Sequence, residues 1–167
     1  MLHISDVNLE DLATALDTNF MDYDTFFWLD PATGGIQLWG EETADEAEAE
    51  GWDVDERGGI RIEAVGSHEG YRDMEAFIAG VEDSRCREDL ERSIDRSHPF
   101  RHFKDVLHHY PDVSKAWYTF HDATMQRRAV EWLRDNLQIA PDEAAAALLH
   151  GVHSEHSQEP GSGGPTP

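Results

Sequence analysis

The stretch "TFFWLDPATGGIQLW", residues 25–39, constrains the fold more than any other part of the chain. Two aromatic and aliphatic runs, 25–29 and 36–39, flank Asp30-Pro31-Ala32-Thr33-Gly34-Gly35. Proline presets the dihedral of a turn and the glycines supply positive φ, so these residues predict a β-hairpin. Within it, Phe26 and Trp28 point to one side and Phe27 and Leu29 to the other. Both faces of the strand are therefore apolar. Two readings follow: a sheet covered on both sides, or an aromatic docking surface.

A third strand follows in "GGIRIEAV", 58–65, where Ile60, Ile62 and Ala64 alternate with Arg61 and Glu63. Three short strands cannot stand alone and require helices on an apolar face. The helices are legible on both sides of the sheet. In "DVNLEDLATALD", 6–17, Val7, Leu9, Leu12, Ala13 and Leu16 recur at helical spacing, and Asp6 is placed to cap the start. From Ser67 onward Tyr71, Met74, Ile78 and Val81 form a stripe that Phe77 widens; Cys86, Leu90 and Ile94 form the next. "PFRHFKDVLHHY" carries Phe100, Phe103, Leu107 and Tyr110 on one side, with Pro99 in the first turn. A longer helix, 114–136, has Trp117, Phe120, Val130 and Leu133 inward and Asp112 or Ser114 as cap. The expectation is an α+β fold: a small three-stranded antiparallel sheet packed with five to six helices, the C-terminal half mainly helical. Residues 1–139 read as a single domain, 140–151 as a short added helix stopped by Gly151, and 152–167 as a flexible tail.

Charge enters where the organisation leaves a gap. "EETADEAEAEGWDVDE", 41–56, holds nine acids and no base, and self-repulsion predicts a solvated loop or a fraying helix. Over the whole chain the formal charge is −22, unevenly spread. Residues 1–84 set three Arg against 22 Asp and Glu, whereas 85–134 set ten Lys and Arg against eight acids. Such a field repels nucleic acid except at a local basic face and favours a cationic protein partner. No apolar run approaches the ~18 residues that span a bilayer. The start of the chain lacks the basic and apolar blocks of a leader, and one cysteine, Cys86, makes no internal disulfide, so a cytoplasmic setting is expected.

"SHPFRHFKDVLHHYPD", 97–112, concentrates histidine and cationic residues. His102, Asp105 and His109 follow at spacings of three and four, which puts them on one side of a helix and suits a divalent metal such as zinc. Ligands strung along one straight helix do not converge on a tetrahedral ion, so no cofactor is the leading expectation and this metal set the second one. Arg101 and Lys104, joined by Arg96, form either a small basic face or, as surface cations more often do, internal ion pairs to the negative N-terminal half. His121 and Asp122 are sequence neighbours and point apart on a helix. Cys86 reads as a packing residue, and there is no Gly-x-Ser-x-Gly, phosphate loop or His-Glu-x-x-His. An enzyme is therefore the less favoured reading.

Taken in order, "LEDLATALD", "FWLDPATGGIQLW", "GYRDMEAFIAGV" and "PFRHFKDVLHHYPDVSKAWYTFHDATMQRRAVEWLRDN" resemble an uncharacterised bacterial protein family, number 158 of the UPF series. The likeness spans 7–139, with its most specific part in Phe100-Arg101-x-Phe103-Lys104-Asp105, Trp117-Tyr118-x-Phe120 and Glu131-Trp132-Leu133. Where the family pattern has Gly-Lys-Gly-Ala, this chain has Arg96-Ser97-His98-Pro99; where Arg-Asp-Glu is usual, it has His121-Asp122-Ala123. The resemblance implies a fold and a bacterial origin and no mechanism. It also moves attention from the histidines to Arg101, Lys104 and Asp105, with Asp122, as candidate ligand- or partner-binding residues. The structural alternative is that the two Phe pack while Arg101 pairs with Asp122 or Glu131. A small binding protein with an acidic surface is the leading function; a metal- or phosphate-dependent hydrolase built on the helix at 99–110 is the rival.

Overall fold

A computed structural model describes residues 1–136 and 138–150. The hairpin forms as its residues dictate. Strand β1, Phe26–Leu29, pairs antiparallel with β2, Ile36–Trp39, and on its other side with β3, Ile60–Ile62, giving the order β2-β1-β3. In the turn, the Asp30 carboxylate accepts the Ala32 N–H at 2.9 Å, and the Asp30 N–H donates to the Gly35 carbonyl at 2.9 Å. Gly34 alone of the two glycines has positive φ, +78°, and a Cβ there would sit 2.4 Å from the Asp6 carbonyl oxygen. The turn is thereby closed against the N-terminal segment, and no larger residue fits.

The alternation of β1 separates two environments. Phe27 and Leu29, with Ile36, Ile60 and Ile62, pack into a cluster with Leu12 and Leu16 of α1 (Leu9–Leu16) and with Met125, Ala129, Val130 and Leu133 of a later helix. Trp28 lies on the other face and is 1% exposed, its ring 6.2 Å from Trp52, which also stands 5.8 Å from Trp39. Val54 is buried as well. The sheet is covered on both sides at its centre, which settles the hairpin question in favour of packing.

The cover on the Trp28 side comes from the acidic stretch. Residues Glu41–Glu50 form a regular helix, α2, and a turn follows. The Thr43 hydroxyl accepts the Gly40 N–H at 2.7 Å, acids occupy the first turn where the helix dipole favours them, and Gly51 ends the helix at φ +77°. The Trp52 N–H then donates to the Ala47 carbonyl at 3.0 Å, folding the indole back. Ala47 is buried while all six carboxylates of α2 face outward. A one-sided helix of this kind forms despite its repulsion because its alanine face and the following tryptophan have apolar surface to meet.

The remaining elements are helical: α3 Ser67–Ala79, α4 Ser84–Ile94, α5 Pro99–Leu107, α6 Pro111–Asp135 and α7 Pro141–His150. A second cluster gathers Met74, Ile78, Val81, Cys86, Leu90, Ile94, Phe103, Leu107 and Trp117, the stripes read from periodicity. Helix α6 serves both clusters, contributing Trp117 to one and Met125 to Leu133 to the other. α7 is more than an addition: Ala144 is fully buried in the first cluster, and Glu143 accepts the Ile4 N–H at 2.8 Å. Gly151 and the tail lie outside the described residues.

Three local expectations are corrected. Asn8, not Asp6, caps α1, accepting the Asp11 N–H at 3.1 Å, while Asp6 sits in a 3-10 turn and accepts the His3 N–H. α6 starts at Pro111, a turn ahead of Ser114, because proline is already set for a first helical position and needs no donor there. Phe100 does not join the buried stripe of α5 but stays 39% exposed, its ring resting over Gly70 of α3.

Candidate functional site

Between α3, α5 and α6, and closed on one side by the end of α1, lies a cleft of about 660 Å³. Helix α6 supplies Trp117, Tyr118, His121, Asp122, Met125 and Arg128, residues three and four apart that share one side of the helix. α5 adds Phe100 and Lys104, one turn apart, and α3 adds Gly70 and Asp73. Gly70 lets the Phe100 ring lie close: a Cβ there would meet the ring at 3.0 Å, a tight contact that the ring would have to shift to relieve.

Two charge pairs tie the floor together. The Arg128 guanidinium reaches both oxygens of Asp73, with Nη2 2.8 Å from Oδ1, and Glu69 stands 3.8 Å from Nε. Both members are largely withdrawn from water, so the two-pronged geometry is needed to offset their desolvation. His121 Nε2 lies 2.9 Å from Asp17 Oδ2, and the imidazole is stacked on Trp117 at 5.4 Å between centroids. The hydrogen bond to Asp17 raises the imidazole pKa above its ordinary value, against the opposing effect of burial. The other ring nitrogen, Nδ1, is buried with no partner among the described residues. With one nitrogen held by Asp17 and the other enclosed, His121 presents no lone pair to a molecule in the cleft, and general-base work by this ring is not supported.

The candidate residues read from the sequence are distributed, not assembled. Lys104 and Asp122 line the cleft together. Asp105, about 100° further round α5, faces a different groove of about 890 Å³ between α4 and α5, along with His102, His109 and Arg96. Arg101 is exposed and lines neither. Among the described residues, Arg96, Arg101 and Lys104 make no ion pair. The alternative in which Arg101 pairs with Asp122 or Glu131, and the wider idea that these cations neutralise the acidic half, are thereby corrected. The bridges that do reach acids of the N-terminal half come from His121 and Arg128, on α6. His102, Asp105 and His109 do share the α4–α5 groove, yet among the described residues no three His, Cys, Asp or Glu side chains stand close enough to hold a metal ion.

The sequence reading missed Asp17, Asp73 and Arg128. Asp73 carried a signal: it lies one turn before Phe77, the residue that widens the apolar stripe of α3, so its carboxylate had to meet the neighbouring helix. Nothing local marks its partner 55 residues away.

Residues 3–148 match the sequence profile of the uncharacterised protein family UPF0158. A relative in Pseudomonas aeruginosa, "UPF0158 protein PA5073", is 28% identical over 145 residues, covering 86% of this chain and 92% of its own length. No solved structure matches the chain.

Proposed function

The chain belongs to the uncharacterised protein family UPF0158, and from the cleft we propose that it works by binding, taking a basic segment of another protein, in the cytoplasm. The observation that carries this is the exposed aromatic pair. Phe100 and Tyr118, 39% and 52% exposed, line a cleft that also carries the carboxylate of Asp122, which makes no ion pair among the described residues. Aromatic faces beside carboxylates suit an arginine or lysine side chain, which gains a ring contact and an ion pair together. The buried charges beneath are already paired, so the floor is a support and the rim is the recognition surface.

The charge of the N-terminal half supports the same reading. Its three arginines make no ion pair among the described residues. Arg57 lies over the Trp52 ring at 3.5 Å and Arg61 over Tyr23 at 3.9 Å, spent on aromatic faces and not on carboxylates. Apart from Asp17, Glu69 and Asp73, which His121 and Arg128 engage, the acids of this half make no ion pair with a residue of the half itself and attract a cationic partner from a distance, speeding its arrival. No helix among the described residues is long and apolar enough to cross a membrane.

A fluorescein-labelled arginine-rich peptide, followed by anisotropy at low and moderate salt, tests the proposal. Asp122→Asn and Tyr118→Ala should each weaken binding by about three- to ten-fold. Glu46→Gln on the outer face of α2 serves as the control and should change little. Equal losses for Asp122→Asn and Glu46→Gln, with none for Tyr118→Ala, would reduce the interaction to bulk charge and end the assignment of the cleft.

A further inference from the structure

Strand β2 is an edge strand with an unused hydrogen-bonding side. Its register with β1 places Leu29 opposite Ile36, Trp28 opposite Gln37, Phe27 opposite Leu38 and Phe26 opposite Trp39. The Asp30 N–H donates to the Gly35 carbonyl at the turn. In an antiparallel pair bonded and non-bonded positions alternate. Gln37 and Trp39 are therefore the residues bonded to β1, and the N–H and C=O groups of Ile36 and Leu38 point away from the sheet. None of those four groups is hydrogen-bonded to another described residue outside the ladder. Open ladder groups of this kind template a further strand.

Side chains on the same positions are apolar and incompletely covered. Leu38 is 47% exposed, and its cross-strand neighbour Phe27 carries Phe20, itself exposed, at 5.4 Å. A few residues away in the chain stand exposed acids, Asp22 and Asp24 after Phe20 and Glu41 and Glu42 after Trp39, none ion-paired among the described residues. An apolar row beside an open ladder, flanked by carboxylates, selects its occupant.

We propose that the β2 edge accepts an extended segment of a partner protein in which apolar and basic residues alternate. The apolar residues lie on the face shared with Ile36 and Leu38. The basic residues fall on the face of Gln37 and Trp39, from which the chain runs on into Glu41 and Glu42. A second copy of this chain is disfavoured at the same edge, because each copy carries a formal charge of −22 and brings the same acids. This surface shares no residue with the cleft between α3, α5 and α6, so either assignment can fail without the other.

The probe is an acetylated octapeptide alternating valine and arginine, added to the full chain labelled with nitrogen-15. Amide hydrogen exchange at Ile36 and Leu38 should slow by about ten-fold or more at saturation, since each amide gains an acceptor. Gln37 and Trp39, bonded to β1 already, should change far less. Leu38→Pro removes an outward donor without touching the inner ladder, and Leu38→Lys keeps the donor while placing a repelling charge on the edge. Each should weaken peptide binding by about five- to ten-fold, and the lysine variant decides the matter if the proline variant fails to fold. Absence of binding overturns the proposal, as does binding without slowed exchange at these two amides. So does equal affinity for a peptide with its valines and arginines in separate blocks, or protection in the free protein with a doubled mass, which would assign the edge to self-pairing.

Discussion

Arg128 on α6 grips Asp73 on α3 with both terminal nitrogens of its guanidinium, joining two helices whose pairing nothing nearby in the sequence announces. Removing one partner strands the other in a partly desolvated site. Asp73→Asn and Arg128→Met should each lower the unfolding free energy by about 2–3 kcal/mol. The double variant should cost clearly less than the two losses combined. Urea denaturation of the four proteins measures the coupling, and strictly additive losses would show the pair to be energetically inert.

His121 makes a pH-dependent contribution. Its pKa is raised in the folded protein by the hydrogen bond to Asp17. A raised folded value means that the stabilisation is fully present below the ordinary imidazole value of about 6.5 and is lost as pH climbs through the raised one. The melting temperature of the native protein should thus exceed that of His121→Gln by more at pH 6 than at pH 8.5. A gap that is constant, or that widens with pH, would contradict the clasp.

His98 is the one described non-glycine residue with positive φ, at +56° and ψ +54°, just ahead of Pro99. A side chain in this left-handed region costs about 1–2 kcal/mol, and glycine avoids the clash at some cost in chain entropy. His98→Gly should raise stability by about 1 kcal/mol. A drop in melting temperature would mean that the imidazole makes a compensating contact.

Cys86 is fully enclosed in the cluster shared by α3, α4, α5 and α6, and burial is the main cause that pushes its thiol pKa up. Both effects suppress the reactive thiolate. Ellman's reagent at pH 8 should leave the native thiol untouched over minutes and titrate one equivalent once the chain is unfolded. Rapid reaction of the native protein would place Cys86 in a locally opening segment.

How much of this was readable in advance depends on the range of the interaction involved. Met74, Ile78, Cys86, Leu90, Phe103 and Leu107 were legible because a buried stripe repeats at the period of its own helix, and all six meet in one cluster. The hairpin was legible because Pro31 and Gly34 impose their dihedrals locally. Caps were less so: Asn8 displaced Asp6 because the chain before α1 turns once more before the helix begins. The acidic segment at 41–50 could not be decided from its repulsion, since the answer lay in the burial of Ala47 and in Trp52 meeting Trp28 across the fold. Lys104 and Asp105, grouped in the sequence, line different cavities. Adjacent residues on a helix diverge by about 100°, and here that angle is the difference between two cavities.

Helix α6 runs unbroken from Pro111 to Asp135, with Trp117 seated in one cluster and Met125, Val130 and Leu133 in the other. Its pitch therefore sets the rotational phase between two separately packed interiors. One residue inserted between Phe120 and Met125 would turn one set of anchors by about 100° relative to the other. It would also carry His121 away from Asp17 or Arg128 away from Asp73. The spacing along α6 behaves as a fixed gear ratio.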